Sequence, residues 1–288
     1  MEVWSHDRWG VPLPPGHKFP ISKYRLLRER VEGIVDVCES DAVPWEWLAA
    51  VHESDLLDRI RTGSMTIREQ RGLGLPWSEP LVERGRRSVG GTLAAARRAL
   101  AYGVGMNLGG GTHHAGRDFA RGYCLFNDVA VTVARLRLEG LVRRVLVVDC
   151  DVHQGDGTAQ ILGPDPDAFT ISLHGARNYP FERIPSDLDV DLPSGTGDDE
   201  YLRVLSDALD AAPEADIAFY LAGADPWEGD RLGRLALTKA GLRTRDELVL
   251  SRLSGIPTTV VLAGGYAPDV NDTVDINAAT VEAVLAVS

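Results

Sequence analysis

The stretch from Val145 to Thr158 constrains this chain more than any other. Val145 to Val148 are four consecutive apolar residues, the pattern of a strand buried on both faces of a parallel sheet and not of one with a wet side. Directly after them come Asp149, Asp151, His153 and Asp156. Carboxylates and an imidazole crowded at the end of a buried strand carry a large desolvation cost unless a cation or paired partners offset it. The chemistry is therefore expected there.

The same punctuation recurs. Short apolar runs at Met106–Leu108, Phe169–Leu173, Ile217–Leu221 and Thr258–Leu262 run into Gly109-Gly110-Gly111-Thr112-His113-His114, His174, Ala222-Gly223-Ala224-Asp225 and Ala263-Gly264-Gly265-Tyr266. Helical patterns lie between or after them, from Ser78 through Leu100 and over Asp128–Leu138, Asp199–Ala211, Arg243–Arg252 and Ile276–Val287. This alternation predicts an α/β fold: a three-layer sandwich with a central, mostly parallel sheet covered by helices on both faces. It also predicts a single domain over residues 1–288, without linker or internal repeat. In such sheets ligands bind outside the carboxyl ends of the strands, so these residues should meet at one edge.

Towards the N-terminus the expectations are looser. Residues 1–20 carry two Trp and four Pro, which predicts an irregular arm packed on the body. A helix is expected from Lys23 to about Cys38, then short helices over Trp45–Val51 and Ser54–Ile60. The polar residues Arg61–Arg71 read as a loop, and Gly72–Trp77 as an ordered turn.

Composition closes off several classes. The net charge of −12 argues against a nucleic-acid surface and favours attraction of cationic amines. Three widely spaced cysteines imply neither a disulfide framework nor a thiolate metal site. No apolar run is long enough to cross a bilayer and no signal peptide is evident, so a cytoplasmic protein is expected.

Asp151 and His153 flank Val152 and point the same way in extended chain, and Asp225 arrives from another strand. One imidazole and two carboxylates make a three-ligand site for Zn²⁺ with positions open to water and substrate, and Fe²⁺ accepts the same set. An isolated Asp is usually a cap or a surface acid; here several strand ends converge on one chemistry. His113 and His114 have carboxylates available at Asp149 and Asp156, which would orient the imidazoles and raise their pKa toward that of a general base. Gly109–Gly111 lack the Lys-Ser/Thr of a phosphate loop. Tyr266, over an open metal site, would donate to a developing oxyanion. No Gly-x-Ser-x-Gly elbow supports a serine nucleophile.

These motifs, in this order, resemble those of the zinc-dependent histone deacetylases of the arginase/deacetylase superfamily: Gly109 to His114, Gly122-Tyr123-Cys124-Leu125-Phe126-Asn127-Asp128, Asp149 to Gly157, Ala222 to Asp225 and Gly264 to Tyr266. Tyr179-Pro180, Asp198–Leu202, Glu228–Gly233 and Leu13–Pro20 resemble the class IV branch and its bacterial relatives. The resemblance implies an amidohydrolase acting on an acyl-lysine protein or a small acylated amine, with Asp151, His153 and Asp225 as zinc ligands. It implies His114 as general base and acid, supported by Asp156, and His113 as electrostatic companion, supported by Asp149. Tyr266 would polarise the carbonyl, and Gly122 and Tyr123 would line the acyl-lysine channel, with Tyr123 where many members have Phe. It further implies a monovalent cation, K⁺ in this family, near Asp149, Asp151, His153, Ser172 and Leu173. The family's rim Asp, which grips the substrate backbone, has no counterpart among Ile67, Arg68, Glu69 and Gln70.

Two rivals stand beside this reading. A ureohydrolase of the arginase type needs further acids at positions 155 and 227, where this chain has Gly155 and Trp227. A module that binds acylated ligands without hydrolysing them would have no use for the complete set of ligands, histidines and tyrosine.

Overall fold

A computed structural model describes residues 1–288. Its eight strands, β1 Glu2–Ser5, β2 Asp36–Glu39, β3 Val104–Asn107, β4 Val145–Asp149, β5 Ala168–Gly175, β6 Leu188–Leu192, β7 Ile217–Leu221 and β8 Thr258–Val261, form one sheet in the order β2-β1-β3-β8-β7-β4-β5-β6. Every pairing is parallel. Ten helices complete the chain: α1 Ser22–Val31, α2 Trp45–Leu48, α3 Ser54–Thr62, α4 Ile67–Leu73, α5 Glu79–Tyr102, α6 Asp128–Leu138, α7 Asp156–Leu162, α8 Asp198–Asp210, α9 Lys239–Arg252 and α10 Val270–Leu285.

The strands are apolar on both sides because both sides are covered. In β4, Leu146 and Val148 join a core of 36 buried residues with α1, α8, α9 and α10, whereas Val145 and Val147 join a core of 34 with α2 to α7. Two cores of nearly equal size make a sandwich, as the alternation predicts. Burial of each such side chain contributes about 1.5–3 kcal/mol, which is why the run has no polar position until Asp149. β4 lies between β5 and β7, with Asp149 opposite Ser172 on one side and Leu221 on the other. The chain leaves β4 and β7 side by side, which carries Asp151 and Asp225 to the same edge.

The structure corrects four expectations nearer the N-terminus and two further on. Glu2–Ser5 is a strand inside the sheet, not irregular arm; Glu2 and Ser5 interrupt its apolar run. Beyond it the arm packs on the body as expected, with Trp9 under the Arg87 guanidinium at 3.8 Å and Phe19 against Tyr123. The helix expected to reach Cys38 stops at Val31, because Gly33 turns the chain at φ 96° into β2. Arg61–Arg71 is not all loop: Thr66 and Glu69 form a reciprocal capping box that starts α4. The residues after it, Gly72 to Trp77, are a turn only from Gly74, a left-handed C-cap. Edge strand β6, half polar, and glycine-rich α7 were not expected from periodicity at all.

Candidate active site

Asp151, His153 and Asp225 come together just beyond β4 and β7, with one ligand atom from each within 4.8 Å of the others. All three are buried. Backbone amides aim the carboxylates: Gly264 N–H donates to Asp151 Oδ2 at 2.6 Å and Val152 N–H to Asp225 Oδ1 at 2.9 Å. His153 Nδ1 bonds Asp151 Oδ1 at 2.9 Å. It also lies 3.2 Å from Asp225 Oδ2, yet that oxygen has no hydrogen-bond partner. Glycines make the room. A Cβ on Gly264 would stand 1.9 Å from Asp225 Oδ2, and one on Gly223 would stand 2.7 Å from the Asp151 Cα.

The electrostatics of this cluster call for a cation. Burial, then repulsion from Asp151, pushes Asp225 up to about 7. Burial opposes the charge on His153, but the Asp151 and Asp225 carboxylates beside its ring prevail and raise it to about 10. Two buried carboxylates, one of them with an unpaired oxygen, and an imidazole nitrogen form a hard, oxygen-rich donor set with one nitrogen. It fits Zn²⁺ or Fe²⁺.

His113 and His114 follow the glycine-rich turn after β3, their rings 4.1 Å apart. His113 Nδ1 meets Asp149 Oδ2 at 2.7 Å and His114 Nδ1 meets Asp156 Oδ1 at 2.5 Å. Each imidazole thus spends Nδ1 on a buried carboxylate and keeps Nε2 for other work. The two differ electrically. Burial works against a charge on His113, but Asp149 and Asp151 outweigh it and hold the group up to about 9. His114 falls well below its ordinary value through burial, then through its neighbours His113 and His153.

The second oxygen of Asp156 is taken by Arg121, an ion pair the sequence does not announce. Arg121 also lies over the Phe119 ring at 4.2 Å. Next to it the backbone is left-handed at Gly122 (φ 57°) and again at Tyr123 (φ 66°), unusual for a residue with a side chain. A Cβ on Gly122 would stand 2.5 Å from the His114 ring. The turn after α4 holds this loop, with Gly122 N–H donating to Gly72 O at 3.0 Å and Tyr123 N–H to Leu73 O at 2.8 Å.

Asp151, His153, His113, His114, Gly122 and Tyr123 line one cavity of about 510 Å³, together with Tyr266 and Tyr179. The ring of Tyr123 stands 5.7 Å from that of Tyr266, and Tyr179 meets His114 edge-on at 5.0 Å. Burial, then Asp151 and Asp225, pushes the Tyr266 hydroxyl well above its ordinary pKa, so it remains a donor. Of the residues expected around a monovalent cation, Asp149 accepts from Asp151 N–H at 3.1 Å and Ser172 Oγ lies 2.9 Å from His174 Nδ1. Sequence reasoning missed Tyr179, Arg121 and Arg245. Arg245 is fully buried on α9 and donates to Gly223 O at 2.6 Å, and to Cys150 O at 3.4 Å. Only the Tyr-Pro pair at Tyr179 offered a signal.

Fold and site together define a protein of the arginase/deacetylase fold with a buried Asp-His-Asp cluster at the strand ends. Two solved structures share that fold: an HDAC homolog from Aquifex aeolicus, at TM-score 0.82 with 21% identity over 98% of this chain and 83% of that one, and an HDAC homolog complexed with SAHA, at TM-score 0.83 over 99% and 84%. Residues 18–283 match the histone deacetylase domain. The chain belongs to the histone deacetylase family. It is 42% identical to an uncharacterized protein of Picosynechococcus sp. over 94% of both chains, and 36% identical to histone deacetylase 2 of Arabidopsis thaliana over 92% of this chain and 70% of that one. The family supports a deacetylase-type hydrolase, and its members are generally metal-dependent. No helix is long and apolar enough to cross a membrane.

Proposed function

We propose that residues 1–288 act as one zinc-dependent deacylase domain that hydrolyses the amide between an acyl group and a primary amine such as lysine. What carries the reading is convergence: Asp151 and His153 of the metal cluster, the His113 and His114 imidazoles and Tyr266 line the same cavity, held against Asp225, Asp149 and Asp156. Asp151, His153 and Asp225 would hold the ion, Zn²⁺ or alternatively Fe²⁺. Bound there, it supplies Lewis acidity and brings the pKa of a water to roughly 7.

The remaining steps belong to the protein. His114 Nε2 accepts a proton as water attacks the acyl carbon, its ring held by Asp156 at Nδ1. Tyr266 donates to the carbonyl oxygen as negative charge develops on it. The carbon–nitrogen bond then breaks, and His114 returns its proton to the departing amine. His113, held by Asp149, keeps a positive charge beside the reacting centre. Gly122 and Tyr123 line the passage for the alkyl chain of the amine. A monovalent cation near Asp149, Asp151, His153, Ser172 and Leu173 belongs to the same reading, as do a cytoplasmic location and a place near the class IV branch.

The test is acid release from a panel in which acyl length and amine carrier vary separately, measured with and without added zinc. Zinc-dependent release from at least one acylated amine is expected. A metal-replete protein that binds these ligands and releases no acid would instead be a binding module.

A further inference from the structure

The cavity has two ends of different character. At its base stand Asp151 and His153; among all its lining residues Asp151 is the sole acid. Arg71, Arg177 and Arg234 also line it, and all three are exposed. They come from three separate segments, the last turn of α4, the loop after β5 and the loop after β7. They do not form a stripe on one element: Arg177 and Arg234 share one flanking hollow and Arg71 lies in another.

None of the three makes an ion pair or a side-chain hydrogen bond. Most other arginines of this acidic chain are matched with carboxylates, as in Arg59 with Glu69, Arg137 with Asp165, Arg183 with Asp191 and Arg252 with Asp210. The two shallow hollows that continue from the opening, one around Arg71 and one around Arg177, Arg183 and Arg234, contain no acid. Nearby carboxylates are turned away. Asp230 accepts from the backbone N–H groups of Tyr266, Leu232 and Gly233, and Glu182 lines none of these hollows. Arg231 adds a fourth unpaired guanidinium, its Nε donating to Tyr266 O at 2.9 Å.

A net charge of −12 with an acid-free, arginine-lined opening means that the local field at the site opposes the global one. Building on the deacylase reading, we propose that the substrate carries carboxylates on the amine side of the scissile amide. Acylated polyamines and acyl-lysines with basic neighbours are correspondingly disfavoured. Rim charges act chiefly on encounter and partner discrimination, and their effect weakens with salt. Planar guanidiniums suit bidentate contact with such carboxylates. The amine carrier is either an acidic peptide or a small carboxylate-bearing amine, which the experiment separates.

The full-length, zinc-loaded protein is assayed for acetate release from acetyl-lysine in three peptides with acidic, neutral or basic flanks. Two small substrates accompany them, α-N-blocked ε-acetyl-lysine with a free carboxylate, and acetylputrescine. We expect kcat/KM to be at least about tenfold higher for the acidic than for the basic peptide, with the gap shrinking from low to high salt. The double variant Arg177→Glu/Arg234→Glu should reverse that order, each charged peptide being compared with the neutral one on the same protein. If the small carboxylate outruns acetylputrescine but the peptides do not differ, the carrier is a small molecule and the proposal holds in that form. A preference for the basic peptide or acetylputrescine, or an order unchanged in the variant, overturns it. If no substrate releases acetate, the deacylase reading is decided by the panel of longer acyl groups, and anisotropy of labelled acidic and basic peptides still decides the present one: tighter acidic binding, lost in the variant, supports it, and equal or inverted binding ends it.

Discussion

Arg121 closes one oxygen of Asp156 while His114 holds the other, so a guanidinium reaches the imidazole through a single buried carboxylate. Asp156 is fully buried and has nowhere else to turn. Without Arg121 the carboxylate would lose its second partner and the ring its fixed orientation. Supporting partners of this kind are typically worth 10–100-fold in activity. Arg121→Met is expected to lower kcat by about that factor with little change in KM, and Arg121→Lys to recover part of it. Unchanged kcat in Arg121→Met would remove the residue from the mechanism.

Tyr266 is the other donor whose removal is informative, because its hydroxyl makes no bond within the protein. Tyr266→Phe should reduce turnover by about 10²–10³ while preserving the fold. Steady-state kinetics checks this, and a rate within threefold of the parent would contradict an oxyanion role.

The metal reading predicts one divalent ion per chain by elemental analysis. Chelation should abolish activity, with zinc or iron(II) restoring it, and Asp225→Asn should retain far less ion. An ion present at about 100 times its dissociation constant raises stability by about 2.7 kcal/mol, so the chelated protein should also melt earlier. Two ions per chain would revive the two-metal ureohydrolase reading that Gly155 and Trp227 exclude.

His52 supplies a pH-dependent test away from the reacting groups. Burial draws it down to about 4, opposed by its hydrogen bond to Gly116 O at 2.8 Å and assisted by Arg117. Its Nε2 accepts from Asn127 N–H at 3.1 Å, so the folded protein needs the neutral ring. An unfolded chain binds a proton near pH 6.5 and the folded one does not until about 4. This contribution to stability is therefore complete above pH 6.5 and is lost as pH falls towards 4, on the order of 3 kcal/mol in all. Denaturant unfolding between pH 7 and 4.5 should show a shallower slope for His52→Gln than for the parent; equal slopes would assign the acid sensitivity elsewhere.

Arg245 is buried against Asp246, which also accepts from Tyr220 Oη at 2.5 Å and Thr280 Oγ1 at 2.6 Å. Arg245→Met would leave that carboxylate uncompensated, at a cost of about 3–5 kcal/mol. Urea denaturation measures it, and a loss below about 1 kcal/mol would show that the network tolerates the gap.

What the sequence disclosed follows a physical rule. Where a buried strand ends in polar residues, as at Asp149–His153 or Ala222–Asp225, composition changes abruptly within a few positions and both strand and site can be read. The reading reached Asp128–Leu138 and Ile217–Leu221 to the residue. It failed on β1, whose Glu2 and Ser5 interrupt the apolar run by which the equally short β8 is legible, and on α4, whose Thr66–Glu69 capping signal sits in a stretch that is mostly polar. Arg121 and Arg245 were out of reach for another reason: their partners are set by tertiary packing, which no local pattern encodes. Net charge is silent in the same way, since an average over the chain says nothing about the arginines at one opening.

Asp151 and Asp225 issue from neighbouring strands that are distant along the chain, and the backbone behind both is gripped by Arg245, which is made later still. During synthesis the ion-binding trio has no second carboxylate until β7 has emerged and docked, and no clamp until α9 follows. On the deacylase reading, a half-made polypeptide would for that reason spare the amides around it, its hydrolytic capacity waiting on the finished sheet.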